Sequence, residues 1–448
     1  MRRTGTSARR RLTAAAALAS IALLASACTG SPDDGAGDDP NAETTLTFWH
    51  GWSAPSEVAA IKENIASFEK AHPNIKVKMV KGITDDKINQ GLRAGGSKAP
   101  DVVSSFTTDN VGRFCTSGAL ADLKPFLDKS SIDPAKTFLP QMAKYTEHDG
   151  KRCTVPLLGD AYGLYYNKDA FAEAGIKAPP KTLSEFDRIA KKLTKTKGDG
   201  YSQLGFMPNY LGYETTVEHY GGQFGVQYMD KDGKSNTAKD PAVKKMFAWQ
   251  KNLVQDLGGY QKLNRYRTSL GDEWGAKHPF HTGQVAMQLD GEWRGKMAAD
   301  AGLDFKIGAA PFPVPDDQVD EYGKGYLSGT ILGIARTSEK KNAAWELVKY
   351  LSTDTDAVVS FANAIHNVPS TLKALDSPKL EDDPLYRTFV DIAKHPKSSH
   401  APSSVNGGAF LLTLQDNAVA YEKGKETDLD AMLKKNDAQV DKDNEQAQ

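Results

Sequence analysis

A chain of 448 residues with 56 basic and 57 acidic side chains carries a formal charge of −1, which removes the electrostatic case for a nucleic-acid partner. The length exceeds what one hydrophobic core fills, so two domains or lobes are expected. Beyond the first forty residues no apolar run reaches the roughly 20 residues that a membrane span requires.

Met1–Arg11 holds five arginines and no acid, and Leu12–Ala27 is an uncharged run of 16 residues rich in Ala, Leu and Ile. That run is short for a span and ends in the small pair Ser26-Ala27, the pattern of an export signal over residues 1–27. Cys28 follows at once. Leu24-Ala25-Ser26-Ala27-Cys28 resembles the lipobox of bacterial lipoproteins, with Ala25 where Leu is commoner. The resemblance implies acylation of Cys28, palmitate included, and a place on the outer face of the cell membrane. Arg9-Arg10 also suits twin-arginine export, which leaves the export route open. Residues 28–43 complete a lipidated N-terminus and an acidic tether. Its five acids and lack of large apolar side chains predict disorder, with a reach of about 20 Å.

The body opens with a strand at Thr45–His50, a helix from Pro55 to Ala71 with Val58, Ile61, Ile65 and Phe68 on one stripe, and a strand at Ile75–Val80. A helix over Asp85–Ala94 and a strand at Asp101–Val103 follow. Strand, helix, strand, helix, strand predicts a parallel sheet with helices on both faces. The pattern then restarts with short strands at Thr154–Leu157 and Gly163–Tyr166. Thr182-Leu183-Ser184-Glu185 is a capping box for a helix with Leu183, Phe186, Ile189 and Leu193 inward. Helices are expected at Val243–Leu257, Ala343–Leu351, Ala409–Lys423 and Asp428–Val440, and strands at Val285–Leu289 and Ile331–Ile334. The reading is two α/β lobes.

With Cys28 committed to lipid, Cys115 and Cys153 form an even pair in an oxidising compartment. One disulfide is expected, two separate buried thiols being the alternative. Enzyme motifs fail on inspection. Gly325-Tyr326-Leu327-Ser328-Gly329 lacks half of a nucleophile elbow. Tyr228 stands where a phosphate loop ending at Gly233-Lys234-Ser235 needs its first glycine. His278-Pro279-Phe280-His281 reads as solvated or core histidines rather than a metal site. No catalysis, metal or cofactor is expected. A glycoside hydrolase would need two carboxylates flanking one bond, and Asp160 with Asp290 or Glu292 is the pair to inspect.

Aromatic and short polar residues gather instead at strand ends, where open parallel sheets hold their ligands. The clusters are Trp49-His50-Gly51-Trp52, Thr108-Asp109-Asn110, Asp160-Ala161-Tyr162, Met207 to Tyr213, and Asp290-Gly291-Glu292-Trp293. A sugar ring presents an apolar face and a fringe of hydroxyls, so its site needs flat rings together with carboxylates or amides. Core packing is the competing account of any one of these aromatics.

These residues resemble the extracellular solute-binding proteins that feed ABC sugar importers, the group containing maltose-binding protein. The resemblance runs from Thr45 to about Val440. It is carried by Leu46 to Trp52, Phe68 to Val77, Ala99 to Val103, Ser117 to Leu123, Pro179 to Thr182 and Asp290 to Trp293, and most specifically by Gly163-Leu164-Tyr165-Tyr166-Asn167-Lys168-Asp169-Ala170-Phe171. It implies an α/β, two-lobed periplasmic-binding-protein-like fold with a three-segment hinge. An N-terminal lobe would hold 44–156 and 333–367, and a C-terminal lobe 160–328 and 371–440. Cys115 and Cys153 are not part of the family pattern. The implied partners are a carbohydrate ligand, in the first instance an oligosaccharide, and the permease of an ABC transporter, with the protein a monomer. A glycerol-phosphate compound is the runner-up ligand. Asp109, Asp160 and Trp293 match family binding positions. His50, Trp52, Asn110, Tyr213, Ser328 and Asn367 are looser matches, and Tyr162 and Asp290 complete the expected site.

Overall fold

The computed structural model of the chain describes residues 42–96, 99–208, 216–271 and 274–447. The export segment, Cys28, nearly all of the tether and Tyr213 lie outside these residues. Among the described residues no helix is long and apolar enough to cross a membrane.

The first strands and helices assemble as their periodicity demands. Strand β1 (Thr44–Trp49) buries Leu46 and Phe48. It leads into the helix Pro55–Ala71, which buries Ile61, Ile65 and Phe68. Pro55 sits in the first turn, where a missing amide costs no helical hydrogen bond. β2 (Ile75–Val80) pairs parallel to β1. The helix Asp85–Ala94 starts on Thr84, whose hydroxyl accepts from the Lys87 amide, and stops at Gly95, a cap worth about 1 kcal/mol. β3 (Val102–Ser105) flanks β1 on the other side, again parallel. These elements match the sequence expectation to within two residues at each end.

β4 (Val155–Asn167) departs from it. The two short runs expected at Thr154–Leu157 and Gly163–Tyr166 are one strand of 13 residues. Gly159 and Asp160 do not break it because both are paired: Gly159 faces Gly329 and Val368, and Asp160 faces Ser328. β5 (Lys195–Lys197), β6 (Gly200–Phe206), β7 (Val285–Gly291) and β8 (Ile307–Ala310) extend from its C-terminal half. β9 (Leu327–Ile334) and β10 (Val368–Pro369) pair its N-terminal half. The order is β2-β1-β3-β9-β4-β7-β6-β5, with β8 and β10 on β4 off that path. β9 runs antiparallel to both β3 and β4. The first sheet is therefore mixed, not wholly parallel, because β9 re-enters it from the far half of the chain instead of through a strand–helix–strand unit.

Two hydrophobic cores form on either side of this shared strand. One includes Phe48, Phe68, Phe114, Leu332 and Leu347; the other includes Phe186, Phe206, Phe247, Leu289 and Leu414. β4 feeds both, with Leu157, Leu158 and Tyr165 in the first and Tyr162 and Leu164 in the second. The helix Pro384–Lys394 puts Tyr386, Phe389 and Ile392 into the first core, its Phe389 ring stacked on Tyr165 at 5.1 Å.

Where the strands cross there is no room for side chains. A Cβ on Gly329 would lie 2.4 Å from the Leu158 carbonyl oxygen, and one on Gly159 would overlap the Met142 methyl group. His366, in the left-handed region at φ 57°, ends the helix Thr355–Ile365 and turns the chain so that Asn367 leads into β10.

Cys115 and Cys153 are joined by a disulfide. It ties the helix Asn110–Thr116 to the residues just before β4. Its sequence separation of 38 corresponds to about 4 kcal/mol of loop-closure entropy removed from the unfolded chain. The double substitution Cys115→Ala/Cys153→Ala is expected to cost about 2–4 kcal/mol in urea unfolding. Equal stability of the oxidised parent and the double variant would show that the bridge does not stabilise the fold.

Candidate functional site

A cleft of about 900 Å³ lies between walls drawn from the two halves of the fold. One wall comes from residues just past the ends of β1, β2 and β3: Trp52 to Glu57, Gly82 to Asp85, and Phe106 with Thr107. The other comes from Trp274 to Ala276, His281, Trp293, Lys296, Met297, Asp300 and Ala301. Asp160, Thr330 and Asn367 close the floor, one from each of the three places where chain passes between the cores. The parallel strands explain the first wall, since their carboxyl ends all point the same way.

The floor is held by one amide. Asn367 Nδ2 donates to Asp160 Oδ1 at 2.5 Å and to Glu292 Oε1 at 3.1 Å. Glu292 Oε2 accepts from the Ala161 backbone amide at 2.9 Å, and Ser328 Oγ donates to Asp160 Oδ2 at 3.4 Å. Asp160 is 6% exposed and Glu292 1%. Burial pushes the Asp160 carboxyl up to about 7 against the hydrogen bonds from Asn367 and Ser328. Burial, with Asp160 as the next cause, holds Glu292 well above the usual carboxylate range. Each of two carboxylates this close and this dry is more readily protonated than it would be in water.

The walls are aromatic and almost without free positive charge. Trp274 and Trp293 lie with ring centroids 6.4 Å apart and planes inclined by 33°. Opposite them, Trp52 meets Phe106 edge-on at 5.4 Å. Lys296 Nζ is paired with Asp300 Oδ1 at 2.5 Å. Burial pushes His281 down to about 4, so its ring is neutral at pH 7. Glu57 and Asp85 add further acid to the first wall. Among the described residues no group of three or more His, Cys, Asp or Glu side chains is placed to hold a metal ion.

Of the residues the sequence singled out, Trp52, Asp160, Trp293 and Asn367 line this cleft, with Ser328 bonded directly behind Asp160. Three others lie behind its surface. His50 is fully buried between the Phe48 and Trp52 rings. Tyr162 is buried against Trp293, His219 and Tyr326. Asp290 has no exposed surface, and its Oδ2 accepts from Arg294 Nε at 2.5 Å. The helix that begins at Trp293 brings that guanidinium back four residues on, which takes the carboxylate out of the cleft.

Asp109 and Asn110 fall at a second junction of the two halves. Asn110 Nδ2 donates to Asp85 Oδ2 at 3.2 Å, and the Asp109 carbonyl accepts from the Ser404 amide at 3.4 Å. Burial pushes Asp109 up to about 6, and burial followed by Asp109 itself pushes Glu218 up to about 8. Sequence reasoning missed Phe106, Trp274, His281, Glu57 and the Lys296–Asp300 pair. Trp274 stands alone in an irregular stretch with no periodicity, and the ion pair was legible only as an i,i+4 spacing on the helix after Trp293.

A family model described as bacterial extracellular solute-binding protein matches residues 63–388. The maltotriose-binding protein of Pyrococcus abyssi is 21% identical over 399 residues, covering 87% of this chain and 80% of that protein. The sn-glycerol-3-phosphate-binding periplasmic protein UgpB of Brucella suis is 26% identical over 368 residues, covering 80% and 82%. The mannobiose-bound structure of CpMnBP1 superposes with a TM-score of 0.77 at 23% identity, covering 88% of this chain and 99% of that one. The architecture is that of two-lobed binding proteins.

The floor carboxylates make stability depend on pH. Between about 4 and about 7 the native chain holds a proton at Asp160 that the unfolded chain has already lost, so stability falls as pH rises through that window. In Asp160→Asn the amide oxygen still accepts from Asn367 and the new NH2 donates to Ser328 Oγ, with no titration. The melting temperature of Asp160→Asn should therefore fall less than the parent's between pH 4 and pH 7. Parallel curves would show that Asp160 is ionised across the whole range.

Proposed function

The chain belongs to the bacterial extracellular solute-binding proteins, and on that footing we propose that it captures a carbohydrate, in the first instance an oligosaccharide, between its lobes. The loaded receptor then delivers the ligand to the permease of an ABC transporter. We assign the lobes as 44–156 with 333–367 and 160–328 with 371–440. The hinge is the crossing of β4, β9 and β10. Closure of the lobes would bring Trp52 and Phe106 toward Trp274 and Trp293, with ligand hydroxyls reaching Asp160 and Asn367 at the floor. Asp109, Asn110 and Tyr213 are assigned to the ligand from the family positions they match.

The observation that carries the choice of ligand is the pairing of Lys296 with Asp300. It is the one Lys or Arg among the described residues lining the cleft. A phosphate monoester needs guanidinium, ammonium or helix N-terminal amides turned toward it. The N-termini of the helices Pro55–Ala71 and Asp85–Ala94 also border this cleft, but each carries acid in its first turn, Glu57 in one and Asp85 with Asp86 in the other; with the indoles, carboxylates and amide this lining suits a neutral polyol. A glycerol-phosphate ligand therefore ranks second, although a relative of comparable similarity is named for one. Hydrolysis ranks third. Glycosidase carboxylates stand apart across the scissile bond, whereas Asp160 and Glu292 sit on the same Asn367 nitrogen and Glu292 is bound to the Ala161 amide. Binding without turnover is the reading this geometry favours.

In a thermal-shift screen over glucose, mannose, maltose, maltotriose, mannobiose, diacetylchitobiose and glycerol 3-phosphate, at least one saccharide at 100 times its dissociation constant should stabilise the protein by about 2.7 kcal/mol. A shift with glycerol phosphate alone would reverse the ranking of ligands, and release of shorter products from any oligosaccharide would refute a pure receptor.

We also propose that Cys28 is acylated after removal of residues 1–27, and that residues 28–43 tether the body to the outer face of the cell membrane within reach of its permease. Cys28→Ser should move the protein from the membrane fraction to the medium and leave its affinity for ligand unchanged. Continued membrane retention would rule out Cys28 as the anchor.

A further inference from the structure

Asp109 and Asn110, two residues assigned to the ligand, do not line the cleft, and they are only 9% and 8% exposed. The cleft wall stops one side chain short of them, at Asp85, whose Oδ2 accepts from Asn110 Nδ2 at 3.2 Å. A turn from the other half of the fold lies over them. A Cβ on Gly408 would stand 2.6 Å from Asp109 Oδ2, and one on Gly407 would stand 2.5 Å from Asn110 Oδ1. The Ser404 amide donates to the Asp109 carbonyl at 3.4 Å. Ser403 Oγ meets His148 Nδ1 at 3.0 Å and donates to the Glu147 carbonyl at 3.4 Å.

The turn is carried by the second core. Ala401 and Phe410, on either side of it, belong to that core. Ser404 Oγ donates to Asn444 Oδ1 on the helix Leu429–Ala447 at 3.0 Å. Its seat belongs to the first core. The helix Asn110–Thr116 sends Val111 and Phe114 into that core and is bolted to the approach of β4 through Cys115 and Cys153. The approach is close because the facing positions lack side chains. A Cβ on Gly112 would stand 2.4 Å from the Ser404 carbonyl oxygen, and Gly407 turns the chain at φ 63°, where other residues are strained. Glycine contacts and neutral hydrogen bonds bury little apolar surface, so a joint made of them parts at low cost.

We propose that residues 403–408 are an autoinhibitory strap. In the unliganded receptor the strap latches the two halves together over Asp109 and Asn110. Ligand gains those two groups only when bending at the β4 crossing lifts the strap off the helix Asn110–Thr116. This rests on the assignment of Asp109 and Asn110 to the ligand. It adds a shut state that competes with capture, so the apparent affinity is the intrinsic one reduced by the fraction of receptor whose strap is released.

The test weakens the strap away from the cleft. Gly112→Ala sets a methyl group against the Ser404 carbonyl, and alanine is itself the better helix former, so the helix is retained. Ser403→Ala is milder and removes the hydroxyl shared by His148 and Glu147. Titration calorimetry with maltotriose, mannobiose and diacetylchitobiose is combined with small-angle X-ray scattering of the unliganded proteins. Whichever of these sugars the parent binds, both variants should bind it about threefold to tenfold more tightly, the range for one neutral hydrogen bond. Unliganded Gly112→Ala should also have a larger radius of gyration than the parent. Weaker binding would place the contact in the loaded form, and unchanged binding would show that it holds nothing shut; either result overturns the strap, as do identical scattering curves. Asp109→Ala checks the underlying assignment separately. It should weaken binding in the Gly112→Ala background, and unchanged affinity there would leave the strap nothing to withhold. If none of these sugars binds the parent, the carbohydrate reading falls, and the scattering comparison alone decides whether the strap latches the two halves.

Discussion

A carboxylate taken out of water must be given hydrogen-bond donors or a proton, and at the junction of the two cores one side-chain amide answers for two of them. Asn367 donates to both Asp160 and Glu292. Those three residues come from three separate passages of the chain: the middle of β4, the turn after β7, and the approach to β10. The bridge therefore fixes where the sheets meet as well as satisfying the charges. It also explains why β4 can be continuous. Its centre carries Gly159 and Asp160, residues poorly suited to a buried strand, and they are tolerated because a glycine faces the first and Asn367 with Ser328 satisfies the second. With one strand shared by both sheets, the two cores are coupled through their backbone, and motion between them must be bending at this crossing.

Much of this was readable from residues alone, and the part that was not has a physical reason. Helical stripes such as Ile61, Ile65 and Phe68 declare themselves, because burial on one face repeats every three or four positions. So does the capping box at Thr182, which satisfies amides locally. β4 did not, since a strand buried on both faces has no alternation, and its glycine and aspartate look like an interruption. Only the partners at 328, 329 and 368, far off in sequence, show that it continues.

The site was legible as a set of neighbourhoods and less so as individual side chains. Trp52, Asp160 and Trp293, from the strand-end clusters, and Asn367, from the family resemblance, line one cleft. Within the cluster Asp290-Gly291-Glu292-Trp293, however, sequence could not tell which acid faces where. Asp290 turns inward to the guanidinium four residues later, and Glu292 turns to the hinge, so neither carboxylate of that motif reaches the opening. Trp274 was invisible for the opposite reason. It lies outside any periodic element, and only its exposure in a cleft marks it out.

These two misreadings are connected, and the connection bears on what the cleft can hold. Arg294 is the strongest base near the site, yet it is fully buried, neutralised by Asp290 and spread beneath the Trp274 ring. Its charge is converted into support for an apolar surface and is withheld from the ligand. Lys296 on the same helix is likewise matched to Asp300, and His281 is neutral. The second wall thus carries several potential cations and presents none of them free, while burial raises the pKa of both floor carboxylates. A pocket so arranged, with Glu57 and Asp85 on its other wall, offers little to hold an anion. Selectivity must then come from the shape and spacing of its flat rings and from the directional hydrogen bonds of Asp160 and Asn367, which are the means by which one neutral polyhydroxylated ligand is told from another.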